Sequence, residues 1–172
     1  MILLDPDLEP DPAPRSNAAK RVNASTSTTK SPNLKLPTPR TLARFLKLAQ
    51  DVLGLRGQVT VLLTTDAAVK DLNRRFRRKN KATDVLSFPA GTVGPEKIAG
   101  DLAISVDTAR RQSAACGHSL GIELKVLMLH GLLHLAGYDH ENDAGRMAKR
   151  ERLLRGKLNL PQGLIERAGA KR

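Results

Sequence analysis

The chain has 172 residues, 40% of them hydrophobic, which is enough for one buried core and hence one domain. Three phenylalanines, one tyrosine and no tryptophan leave the interior to Leu, Val, Ile and Ala, and stacked-aromatic RNA platforms are not expected. A formal net charge of +12 favours polyanionic partners, nucleic acid first, over acidic proteins or neutral metabolites, and a single cysteine, Cys116, excludes an internal disulfide and a thiolate zinc knuckle.

Cys116 itself reads as a buried, inert thiol in a reducing compartment. The opening MILLDPDLEP has too few apolar residues before Asp5 for a signal-peptide core. No later run reaches membrane-spanning length, so a cytoplasmic location without membrane contact is expected. Within residues 1–9, ILL suits an edge strand that Pro6 would end. Residues 10–37 are rich in Pro, Ser, Thr, Asn and Ala and cannot offset the entropy of ordering themselves; they read as a flexible low-complexity insertion. Residues 15–31 have the basic, Ser/Thr-rich composition of a transit peptide, but four acids precede them and argue against targeting.

Thr38-Pro39 opens a helix as hydroxyl cap and first-turn proline, with Leu42, Phe45, Leu46, Ala49, Val52 and Leu53 at helical spacing and Gly54 as its stop. QVTVLLTT (58–65) predicts a strand, after which Asp66 is expected to cap a second helix whose Val69, Leu72 and Phe76 form a buried stripe. DVLSFP (84–89) and GDLAIS (100–105) predict two strands joined in hairpin fashion across TVGPEK. Asp107 is expected to cap a third helix to about Ala115. Ser119 opens a fourth, LGIELKVLMLHGLLHLA, apolar on nearly every side and therefore central to the domain, with Gly137 ending it. A fifth, from about residue 141 to 156, presents Ala144, Met147, Ala148, Glu151 and Leu154. The sum is an α/β (α+β) fold: a single small domain over residues 38–157, a mixed sheet packed with about five helices, and a basic tail at 158–172.

Three of the four histidines fall in HGLLHLAGYDH, residues 130–140. His130 and His134, four residues apart, lie about 40° apart around a helix axis and roughly 6 Å apart along it, so both imidazoles can reach one ion. Gly137 permits the chain reversal that carries His140 to the same face. Three neutral imidazoles fit one Zn2+ per chain with one position left for water, the arrangement of a catalytic rather than a closed structural site. Helical zinc proteases place a glutamate directly after the first histidine; here that residue is Gly131, and a peptidase would lack its general base. His118 has no partner in sequence and reads as a surface histidine.

KDLNRRFRRKNKATDVLSFP (70–89) sets Lys70, Arg74, Arg75, Arg77, Arg78, Lys79 and Lys81 against one acid, Asp71. Some of these cations complement the helix dipole. The rest suit a phosphate-binding edge, since a guanidinium grips phosphate oxygens through two parallel hydrogen bonds. With both segments in view, the chain resembles the YbeY family of zinc-dependent endoribonucleases: HGLLHLAGYDH is similar to its H-G-x-L-H-L-x-G-Y-D-H signature, FRRKNKATDVLSFP to its [YF]-R-x-K-[DN]-K-x-T-[DN]-V-L-S-F-P segment, and GDLAIS to its G-D-[IL]-x-I-[SC] strand. The likeness runs over about residues 38–155 and leaves out the insertion and the tail.

The resemblance implies an endoribonuclease of single-strand type acting in ribosomal RNA maturation, with ribosomal RNA and the small ribosomal subunit as partners and no DNA specificity. It assigns His130, His134 and His140 to zinc and Arg77 to the cleft. Zinc-bound water would then be the nucleophile and Arg77 would stabilise the transition-state charge. Arg78, Lys79 and Lys81 would guide the RNA backbone, and Asp101 or Asp139 would orient an imidazole. The alternative is a ribosome-associated RNA-binding factor whose zinc is structural and which cuts nothing.

Overall fold

A computed structural model describes residues 1–8, 34–91, 98–140 and 143–161. Four strands, β1 (Ile2–Leu4), β2 (Gln58–Thr64), β3 (Val85–Pro89) and β4 (Ile98–Ser105), form one mixed sheet in the order β1-β2-β4-β3. β1 and β4 run parallel to β2, while β3 pairs antiparallel with β4 and is an edge of the sheet. Five helices pack with it: α1 (Pro39–Leu53), α2 (Asp66–Arg77), α3 (Val106–Cys116), α4 (Leu120–Leu135) and α5 (Arg146–Lys157). No helix among the described residues is long and apolar enough to cross a membrane.

Strand alternation sorts the side chains into two layers. Val59, Val61, Leu63, Leu102 and Ile104 join α1, α4 and α5 in the main core, while Leu86 and Ala103 meet Val69 of α2 on the other face. α4 is buried nearly all round, from Leu120 to Leu135, as its unbroken apolar composition requires. Each of its enclosed leucines contributes about 1.5–3 kcal/mol relative to exposure. Gly131 is what lets α4 lie so close to the sheet: a Cβ there would come within 2.8 Å of Leu102 Cδ2 and 3.3 Å of Ser87 Oγ.

Thr38 caps α1 and Ser119 caps α4, each accepting a hydrogen bond from a backbone N–H three residues on. At α2 the cap falls one residue earlier than expected and at α3 two residues earlier. Thr65 and Ser105, not Asp66 and Asp107, accept the bonds from Ala68 N and Thr108 N. The carboxylates move into the first turns, where the helix dipole favours them, and cross-link the two helices: Asp66 accepts from Ser105, Thr108 and Arg111, and Asp107 from the Asp66 backbone. Burial pushes the Asp66 carboxyl upward, but these donors outweigh it and hold its pKa below the ordinary value.

Other expectations are corrected. Cys116, the last residue of α3, is exposed. His118 is largely enclosed and bonds the fully buried Glu123. α5 starts at Arg146, later than expected, because the Asp143 carboxylate engages Gly145 N and Met147 N and holds the preceding turn. Ala144 lies in that turn, exposed, while Met147, Glu151 and Leu154 form the buried stripe together with Arg155. The segment set aside as a tail begins by packing: Leu160 is buried, and Pro161 O accepts from Arg155. Most of the 10–37 insertion and residues 162–172 lie outside the described residues.

Candidate metal centre

The histidine face is produced by the way α4 ends. Gly137, at φ +87°, closes it with paired backbone bonds, Gly137 N to His134 O and Tyr138 N to Leu133 O. The reversal returns the chain over its own last turn and brings His140 to His130 and His134. The three ring centroids stand 4.9, 5.6 and 5.3 Å apart, and one ligand nitrogen from each ring lies within 4.8 Å of the others.

Ring orientation is set from behind. His130 Nδ1 is 3.0 Å from Glu151 Oε2, and a backbone hydrogen bond with Tyr138 engages the His134 ring. The Nε2 atoms of His130 and His134 therefore face one another at 3.2 Å. Tetrahedral zinc with nitrogen ligands at about 2.0–2.1 Å needs ligand atoms roughly 3.3 Å apart, so this pair fits an ion with little movement. Burial, then the neighbouring His130 and His140, and last the Arg77 charge push the His134 pKa down to about 4, with the Tyr138 bond opposing. That imidazole is neutral near pH 7, the state a metal requires.

Glu151 was placed by periodicity in the buried stripe of α5, but its role was not. It is 2% exposed and pairs with Arg155, itself 1% exposed, one helical turn on. Burial raises its pKa, but the bond and charge from His130 and the Arg155 guanidinium outweigh this and hold it low. An unbroken chain thus runs from Pro161 O through Arg155 and Glu151 to His130. The legible signal was a glutamate and an arginine four apart where an apolar stripe should run, since buried charges are found paired.

Glu151 is the carboxylate found behind His130. Asp101, exposed on β4, alternates with Leu102, which packs under α4, so it belongs to the opposite face of the sheet. Asp139 lies half-buried in the reversal between Tyr138 and His140.

Arg77, the last residue of α2, reaches around the free edge of β3 and donates from Nη2 to Ser87 O at 3.0 Å. Ser87 in turn donates from Oγ to Gly131 O at 3.3 Å, beside His130. One edge residue thus spaces the guanidinium from the histidine helix, a function its place in an apolar strand did not reveal. The other cations divide. Arg74 and Arg75 bind Asp71 at 2.6 and 2.9 Å. Arg78, Lys79 and Lys81 are exposed in the turn after α2, and among the described residues no carboxylate pairs with them. Buried Asn73 holds that turn by donating to Lys81 O at 2.6 Å and accepting at its own carbonyl from Lys79 N. Phe76, expected in the buried stripe of α2, is instead 67% exposed: it stands in the last turn of the helix, against Phe88 of the edge strand β3.

Comparison with known proteins identifies the family. The family model described as Endoribonuclease YbeY matches residues 22–159. A protein named Endoribonuclease YbeY from Koribacter versatilis is 56% identical over 128 residues, covering 74% of this chain and 82% of its own. One of the same name from Solibacter usitatus is 50% identical over 126 residues, 73% and 83% of the two chains. A solution structure of TM1509 from Thermotoga maritima aligns over 74% of this chain and 91% of its own at 25% identity, with a TM-score of 0.48. The family match takes in the histidine reversal, the α2 arginines and the first residues of the presumed tail, and the chain belongs to the YbeY endoribonuclease family.

Proposed function

We propose that the protein is a zinc-dependent endoribonuclease that cleaves single-stranded segments of ribosomal RNA during maturation, in the cytoplasm and in association with the small ribosomal subunit. The observation that carries this reading is the convergence of three imidazoles beside an arginine anchored at the same edge. His130, His134 and His140 would hold the ion, and their all-nitrogen donor set and spacing suit zinc with one position open. When bound, the ion supplies an acidified water able to attack phosphorus near neutral pH.

The chain's own groups do the rest. Glu151 holds His130 with its Nε2 forward, and the Tyr138 backbone holds His134. Arg77 spends one N–H on Ser87 O, leaving other donors of its fork for the phosphate oxygens on which charge grows during cleavage. Arg78, Lys79 and Lys81 steer the RNA backbone toward that position. The names of the relatives and the net charge of +12 support an RNA substrate.

The test is to incubate the purified chain with structured ribosomal RNA, before and after chelation and with zinc restored. Cleavage that disappears with chelator and returns with zinc is expected. Tight RNA binding with no cleavage in any arm would favour the non-catalytic RNA-binding factor instead.

A further inference from the structure

Phe76 is the residue of the basic segment that the mechanism leaves unused. It is an aromatic ring 67% exposed on a chain with only three phenylalanines, so its position is costly for solubility and calls for a physical reason. It does not swing freely. Its ring meets Phe88 edge-to-face, with centroids 5.3 Å apart and planes at 72°, and Phe88 is anchored against the Val69, Leu86 and Ala103 cluster. Phe76 directly precedes Arg77, whose guanidinium lies on the β3 edge, and it is followed within five residues by the exposed cations Arg78, Lys79 and Lys81, with which no carboxylate among the described residues pairs.

We propose that Phe76 is a base-stacking platform: the exposed ring receives an unpaired nucleobase of the RNA strand whose phosphate is held by Arg77. The inference rests on the nuclease reading and deepens it, naming the part of the substrate that this edge takes. Charge complementarity selects the occupant. A partner that brings an apolar face together with closely spaced negative charge to a ring ringed by cations is a nucleotide, and every base offers a π-face, so the contact is tolerant of sequence. It also gives the site a reason to prefer single strands, because a base locked in a duplex cannot lie on the ring. Sequence composition argued against stacked-aromatic platforms, and two rings do not make an extended one; they make a single supported position beside the catalytic edge.

The chain contains no tryptophan, so Phe76→Trp introduces a lone indole reporter. Titrating that variant with a short single-stranded RNA should quench its fluorescence, and a ribose-phosphate oligomer of the same length with the bases removed should bind without quenching. In cleavage assays Phe76→Ala should raise KM roughly tenfold with kcat little changed, Phe76→Tyr should restore the parental KM, and the thermal midpoint should hold because the ring is exposed. Equal quenching by the base-free oligomer, or an unchanged KM in Phe76→Ala, overturns the platform while leaving the nuclease reading intact; the exposed ring would then suit a protein partner. Failure of the parent to bind or cleave any RNA would overturn both.

Discussion

The C-termini of α4 and α2 both deliver working side chains through a left-handed residue, but they are built to opposite standards. α4 closes at Gly137, a residue with no penalty for positive φ, and its His130 is fixed from behind by buried Glu151 and Arg155. α2 ends at Arg78, which takes φ +55° despite its side chain, and its cations stand in water with Arg77 tied by one carbonyl. The difference suits what each end is proposed to bind. A metal demands ligand atoms within tenths of an ångström and therefore a buried second layer. A phosphate backbone is met by charge at longer range, and the edge keeps a strained arginine where glycine would fit better.

Removing a ligand should have the largest effect. His134→Ala is expected to abolish the zinc-dependent rise in thermal stability, which in the parent should approach about 4 kcal/mol at free zinc a thousandfold above Kd. Unfolding followed with and without zinc checks it, and an undiminished shift in the variant would break the comparison at its buried end. At the exposed end, Arg77→Ala should keep its metal while kcat falls about a hundred- to a thousandfold. Arg77→Lys, which retains the charge without the fork, should recover only part of that loss in single-turnover assays.

Glu151→Gln sharpens the contrast. It can still accept from His130 but no longer balances Arg155, so zinc affinity should weaken roughly 10- to 100-fold, with activity returning at saturating zinc. A variant with parental zinc affinity would remove the second layer from the account. The smallest effect is expected from Arg78→Gly: relief of the left-handed strain should stabilise the fold by up to about 1 kcal/mol while RNA binding weakens and loses part of its salt dependence. Denaturant unfolding and RNA titrations at two salt concentrations read the two halves of that trade.

The histidine cluster was legible because it obeys local rules: an i, i+4 pair on a helix and a third histidine after a helix-ending glycine. The helix order and the central position of α4 were legible in the same way, from periodicity. What escaped was set across the fold. Glu151 and Ser87 act through contacts 21 and 44 residues away in sequence, and nothing in their own segments indicates which side chain they will meet. Phe76 was misread for a related reason. Its helical spacing matches Val69 and Leu72, but whether a stripe is covered depends on how far the sheet extends beneath it, and here the sheet stops at β3. The caps at Thr65 and Ser105 were missed by one and two residues because Asp is as good a capping residue as Ser or Thr, and only the bonds among Asp66, Asp107 and their neighbours decide between them.

His140, brought back by the Gly137 reversal, is proposed to complete one metal site with His130 and His134. A calorimetric zinc titration of the chelator-treated chain against its His140→Ala variant tests it most directly. One ion per chain for the parent, and a variant weakened by at least a hundredfold, is the result this geometry requires; equal stoichiometry and affinity in the two proteins would contradict it.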